Sequence, residues 1–162
     1  MKTIKVKQLN RDDFKRYGSY NTLMDPEGAE NRAPVRFYPD LAPMFIGSEQ
    51  VSFSNCRVSP RPFVIEASEY HNHTSEGILP MDGDVILHLG RPTGGVVPYD
   101  EIEAYFVPKG TIVTLRPGVW HMAPFAAGDT PVNTLIVLPE RTYANDCVVV
   151  RAEANEKIAI EL

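Results

Sequence analysis

What this 162-residue chain has little of narrows its function before any motif is read. Cysteine is scarce: Cys56 and Cys147 stand far apart with no C-x-x-C spacing, which predicts two free thiols in a reducing cytoplasm. Positive charge is in deficit, since 16 Lys and Arg against 21 Asp and Glu leave a formal charge of −5. A groove that follows a phosphate backbone needs the opposite balance, and zinc-finger spacing is missing as well, so nucleic-acid binding is not expected. No apolar run approaches the ~20 residues that cross a bilayer, so no membrane partner is expected. The first residues, Met1 to Gln8, lack the apolar core of a secretory signal. G-x-S-x-G, a Walker loop and G-x-G-x-x-G are also missing, which argues against serine hydrolases, nucleotide hydrolases and dinucleotide enzymes. With 43% apolar and 23% charged residues and no low-complexity tract, wholesale disorder is excluded.

What is present is punctuation. Fourteen prolines and eleven glycines separate short runs of β-branched and aromatic residues. Val51–Val58, Phe63–His73, Asp84–Leu89, Ile102–Val107, Ile112–Leu115, Thr134–Leu138 and Cys147–Val150 read as strands, and Lys157–Leu162 alternates in the same way. Asn10 is placed to cap one helix over Arg11–Tyr17, with Gly18 placed to end it. Ser19–Pro34, Gly90–Pro98 and Ala123–Pro131 read as loops. No repeat or linker divides the chain. The expectation is one all-β domain over residues 1–162, a barrel or sandwich with a short N-terminal helix.

Chemistry concentrates in two segments. On a strand over Phe63–His73, Phe63, Ile65 and Ala67 share a face with Glu69, His71 and His73. Glu76 follows, and Gly83 sits in a turn before Val85. The second segment runs from Gly110 through a short strand to the Pro117-Gly118 turn, then Trp120 and His121. Imidazoles and a carboxylate gathered from both segments suit a divalent ion such as Mn, Fe, Ni or Zn, with positions left open for substrate. Read with His71-x-His73 as the first pair, only two residues precede Glu76. Read with Glu69-x-His71 in that place, the segment resembles the first motif of the cupin superfamily with its usual spacing to Glu76, Glu69 replacing the first histidine. His71, Glu76 and His121 belong to both readings. His88 reads as a hydrogen-bonded structural residue, Trp120 as packing, and Tyr143 has no stronger claim.

The two segments resemble the paired motifs of the cupin superfamily, whose double-stranded β-helix barrels usually hold a metal in the barrel mouth. The resemblance extends to the ureidoglycolate lyase family. It runs through Asp13-Phe14 to Tyr17-Gly18, Tyr38 with Asp40-Leu41-Ala42, and Glu69-x-His71. Ile78-Leu79-Pro80-Met81 with Gly83-Asp84-Val85, Val119-Trp120-His121 with Pro124 and Ala126, and Asn145-Asp146-Cys147 continue it. In that family Gln is a common occupant of the position of Glu76, with a non-ligand at that of His73, so the resemblance implies a fuller ligand set here than in some relatives.

The resemblance implies cleavage of ureidoglycolate to glyoxylate and urea, a late step in drawing nitrogen from purines through allantoin. Such a site needs a base, an acid and a group to hold the carboxylate. Glu69 or His73, whichever is not a ligand, is the expected base, with His71, His73, Glu76 and His121 as the candidate metal ligands. Strand parity places Arg57 on the same face as Val51, Phe53 and Asn55, taken as inward, which makes it the expected carboxylate anchor ahead of Arg61 and Arg116. A homodimer is expected by analogy with cupins that pair β-edges. A metal-dependent isomerase or epimerase, another small-acid or sugar enzyme, and a non-catalytic ligand-binding cupin are the alternatives.

Overall fold

In the computed structural model, which describes residues 1–26, 30–48 and 50–162, the β-branched and aromatic runs become strands. In chain order they begin with β1 (Lys2–Gln8), β2 (Gly18–Thr22), β3 (Glu30–Arg32), β4 (Val35–Phe37) and β5 (Val51–Val58). Next come β6 (Val64–Ile65), β7 (Ala67–Tyr70), β8 (Glu76–Pro80), β9 (Val85–Leu89) and β10 (Glu103–Val107). The last are β11 (Thr111–Leu115), β12 (Phe125–Ala126), β13 (Val132–Pro139), β14 (Val148–Arg151) and β15 (Ile158–Glu161). Helix α1 (Arg11–Phe14) follows β1, and α2 (Thr142–Asn145) follows β13.

Two larger sheets make up the body of the fold. One has the order β12-β9-β10-β1-β15-β6, the other β2-β11-β8-β13-β5, and β14 pairs with β7 in a small ribbon. Strand β1 lies parallel to both β10 and β15, so the two ends of the chain are joined in one sheet. Facing side chains fill the space between the sheets. Ile78, Val113, Leu115 and Ile136 meet Val85, Leu87, Tyr105 and Val107, and Phe14 and Tyr17 belong to the same cluster. Because β9 is buried on both faces, its other side feeds a second cluster in which Ile86 joins Ile65, Tyr70, Trp120, Ile158 and Ile160. Each fully buried aliphatic or aromatic side chain contributes about 1.5–3 kcal/mol. These clusters hold the fold without a crosslink, and both cysteines are free.

Several expectations change. Helix α1 is capped as predicted, with the Asn10 side chain accepting from the amides of Asp12 and Asp13 at 2.9 and 3.4 Å, but it ends at Phe14. Gly18 starts β2 rather than closing the helix, because β2 passes so near β11 that a Cβ there would meet the Thr114 carbonyl oxygen at 1.8 Å. The segment expected as a loop over Ser19–Pro34 therefore contains β2 and β3, its residues 27–29 lying outside the described ones. The single strand expected over Phe63–His73 is broken at Glu66 into β6 and β7 and stops at Tyr70.

Candidate functional site

Hydrogen bonding between distant backbones builds the site. Glu69 closes β7 against His121: its amide donates to the His121 carbonyl at 2.6 Å, and the His121 amide donates back at 2.9 Å. Past the end of β7, the His71 carbonyl accepts from the amide of Gly118 at 2.6 Å. Gly118 has φ 82°, in the left-handed region that a side chain disfavours, so the Pro117-Gly118 turn depends on glycine. Glu76, the first residue of β8, pairs with Leu115 of β11 and turns its carboxylate toward both histidines.

The result is a buried cluster of Glu69, His71, Glu76 and His121. Glu76 Oε2 lies 3.1 Å from His71 Nε2 and 2.6 Å from His121 Nε2. One ligand atom each from Glu69, His71 and His121 can be chosen so that all lie within 4.8 Å of one another. The other ring nitrogens are fixed from outside. His71 Nδ1 donates to the Asp146 carbonyl at 2.6 Å, and His121 Nδ1 donates to the Val119 carbonyl at 2.8 Å. A carbonyl oxygen can only accept, so both Nδ1 atoms carry the proton. Each Nε2 of a neutral ring then presents a lone pair to a carboxylate oxygen, a contact that repels unless a cation lies between them.

A proton or a metal ion meets that requirement, and the donor set suits either. Without a metal, the proton resides on His121. Burial alone lowers its pKa, but the Glu76 charge and hydrogen bond prevail and push it up to about 9. Burial likewise raises Glu76, yet His121 and His71 bring it down to about 2. The residues present therefore fit a divalent ion bound through two imidazole Nε2 atoms and carboxylate oxygens.

His73 is not brought to this cluster. Its side chain is 82% exposed, because after Tyr70 the strand has ended and parity no longer decides direction. Asp146 decides it instead: its carboxylate accepts the amides of Asn72 and His73, each at 2.8 Å, and His73 Nδ1 at 3.1 Å. The expected inward placement of Arg57 is corrected as well. On β5 it lies opposite Asn133 of β13 and is exposed, with Nη1 donating to Asn133 Oδ1 at 3.2 Å. On β5 Ser52 and Cys56 are half-buried and Val58 is buried, while Val51 and Phe53 face out.

Other residues surround the cluster that the sequence pattern leaves without a role. The Cys147 thiol donates to Glu69 Oε2 at 3.3 Å, and burial with that hydrogen bond pushes its pKa up to about 12. The Tyr143 ring stands edge-on to His71, centroids 6.2 Å apart. Its phenol pKa is raised by burial and then by the charges of Glu76 and Glu69. His88 Nε2 lies 3.0 Å from Ser68 Oγ while its Nδ1 is buried with no hydrogen-bond partner among the described residues, and Trp120 packs on Tyr70 with centroids 4.5 Å apart.

Across residues 1–161 the sequence matches the family model described as ureidoglycolate lyase. The chain belongs to the ureidoglycolate lyase family. No curated protein matches it. Among solved structures similar to this ureidoglycolate lyase family chain is a Bacillus subtilis oxalate decarboxylase described for its Mn(II) centres. The two share 14% identity at a TM-score of 0.45, over 64% of this chain and 24% of that one. A Lactobacillus farciminis oxalate decarboxylase, in a formate complex, is 11% identical at a TM-score of 0.45, over 75% of this chain and 32% of that one. The match thus spans between a quarter and a third of those longer chains.

Proposed function

We propose that the chain is a carbon–nitrogen lyase that cleaves ureidoglycolate to glyoxylate and urea, with a divalent ion held by His71, Glu76 and His121. Membership of the ureidoglycolate lyase family supports the reaction. The observation that carries the ion is the pair of Nε2 atoms set against Glu76 Oε2 while both Nδ1 atoms are occupied.

The reaction is the breakdown of a carbinolamine. The hydroxyl loses its proton, the carbon–oxygen bond becomes a carbonyl, and the carbon–nitrogen bond breaks as the departing nitrogen takes a proton. Glu69 is the base: Cys147 occupies its Oε2, and its other oxygen accepts no hydrogen bond among the described residues. Tyr143, whose ring stands edge-on to His71 and carries a phenol O–H, is the acid. Bound there, a divalent ion such as Zn, Mn, Ni or Fe lowers the pKa of an α-hydroxyl it contacts. Asp146 and Val119 hold the two imidazoles in the tautomer that presents Nε2.

Residues 1–162 act as a single domain, which agrees with β1 lying between β10 and β15. The chain works as a homodimer in the cytoplasm, serving the recovery of purine nitrogen through allantoin. Supporting the dimer, β5 is the edge of its sheet and exposes Val51 and Phe53 on its outer face. Two free thiols agree with a reducing compartment. Among the described residues no helix is long and apolar enough to cross a membrane.

Elemental analysis of protein purified without added metal, with glyoxylate release measured on the same preparation, tests the reading. Stoichiometric metal and turnover lost to a chelator and restored by the ion are expected. Full turnover without metal overturns the ion, and no glyoxylate from ureidoglycolate overturns the reaction.

A further inference from the structure

Beside the cluster lies a cavity of about 490 Å³ whose wall includes Cys56, Arg57, Arg61, Glu66, His88 and Arg151. It adjoins the cluster along the chain on two sides: Ala67, two residues before Glu69, and Met122, next after His121, also line it. Cys56 belongs to both regions, since burial and the Glu76 charge raise its thiol pKa while Arg61 lowers it.

The cavity is cationic. Of its four charged residues three are arginines, and the one carboxylate, Glu66, is already paired with Lys157 Nζ at 2.6 Å. Arg57 is turned to Asn133, and Arg151 lies near Glu66. Arg61 differs from both. It is an exposed residue, yet its guanidinium lies over the Phe125 ring, with Cζ 4.1 Å from the centroid. Nη2 donates to the Ala123 carbonyl at 2.9 Å, and burial by the surrounding protein lowers the group's pKa. Among the described residues no carboxylate lies within ion-pair distance of it. A guanidinium stacked on an aromatic face, fixed at one nitrogen and unneutralised, presents its remaining N–H groups as a fork of the right shape for a carboxylate.

We propose that Arg61 is the carboxylate anchor of this chain: the cavity admits a small α-hydroxy acid, and the Arg61 fork holds its carboxylate while the hydroxyl-bearing carbon faces Glu69. The proposal rests on the lyase reading for the identity of the substrate, but the subsite itself is a property of the cavity. Its chemical class is a small carboxylate with a polar substituent at the α-carbon. Phe125 and Ala123 are then positioning residues, since they set the plane and the free edge of the guanidinium.

Glycolate and glycolamide, alike except for the charged carboxylate, provide the test. Their binding to the purified protein is measured by saturation-transfer NMR and calorimetry, with Arg61→Lys and Arg61→Ala beside the parent. Glycolate is expected to weaken by about ten- to a hundredfold in Arg61→Ala and to recover in part on adding guanidinium ion, while glycolamide is unchanged. With ureidoglycolate the same variant should show its loss mainly in KM. Arg61→Lys, which keeps the charge without the fork, should fall between, and it serves if the alanine variant fails to fold. Equal weakening of both probes, or of neither, overturns the proposal. Arg61-dependent glycolate binding in a protein that cleaves no ureidoglycolate keeps the subsite and removes the lyase reading. Glyoxylate release with unchanged KM in Arg61→Ala does the reverse.

Discussion

Glu69 and His121 exchange two backbone hydrogen bonds, of 2.6 and 2.9 Å, across a bridge between otherwise separate segments. The carboxylate of one motif and the imidazole of the other are thus placed by peptide groups, before any ion or substrate is considered. Side-chain substitution at either position leaves those two bonds in place, so the chemistry can be removed while the bridge survives.

For that reason His121→Ala should empty the site without unfolding the protein. Glu76 would lose its 2.6 Å partner and keep His71 at 3.1 Å. Breaking a buried charge pair costs about 3–5 kcal/mol, and the remaining imidazole places the loss at the lower end of that range. Bound metal and glyoxylate release are both expected to vanish, with a cooperative melt at reduced Tm. Retained metal and full turnover would remove His121 from the site.

Glu69 and His73 are separated by the same two measurements. His73→Ala should keep metal and turnover, because the side chain is exposed and tied to Asp146. Glu69→Gln should lower kcat by about a hundredfold or more if Glu69 is the base. A His73 variant that loses its metal would show that the loop closes onto the ion.

In metal-free protein the Glu76–His121 pair sets a pH window. The His121 pKa rises from 6.5 to about 9, so its contribution to stability is complete below 6.5 and is lost as the pH rises through about 9. The Glu76 pKa falls from 4.5 to about 2, so its contribution is complete above 4.5 and is lost as the pH drops through about 2. The Tm difference between the parent and Glu76→Gln should therefore be largest between pH 4.5 and 6.5 and shrink on either side. A difference independent of pH would mean that the pair is not ionised.

Asp146→Ala should loosen the turn that carries His71 into β8. The carboxylate accepts three hydrogen bonds, two of them from the amides of Asn72 and His73, and these outweigh burial to lower its pKa. Losing them should cost about 2 kcal/mol in denaturant melts and weaken metal binding by about tenfold. The Asp146 carbonyl that accepts from His71 is untouched by this change, so complete loss of metal would show that the turn, and not that carbonyl, orients the ring.

Local signals in the sequence go a long way at residues 110–121. Gly110, the Pro117-Gly118 turn and His121 act within one strand and its turn, where spacing alone determines geometry. The longer core strands are legible from β-branched runs; β1, whose Lys alternates with Thr, Ile and Val, is not, nor are β2, β3, β4, β8 and β12, which carry no such run. Arg57 and His73 fail for a different reason. Parity says which residues share a face but not which face is inward, and on β5 it is Ser52, Cys56 and Val58 that are covered in place of Val51 and Phe53. Parity also ends where the strand does, and the residue that then directs His73 is Asp146, which sequence distance hides.

The inverted β5 also bears on how this protein could change its diet of acids. Its half-buried residues, Ser52 and Cys56, are small, and the strand has a neighbour on one side only, β13. Exchanging Cys56, which lines the cavity of about 490 Å³, alters the volume of that cavity at the border of the sheet, two strands away from the β8–β11 ladder that positions Glu76. On the proposed reading, the cavity wall and the buried cluster are thereby separately mutable parts. A lineage could reshape that cavity by drift along one border strand, while the buried cluster of Glu69, His71, Glu76 and His121 stays where it is.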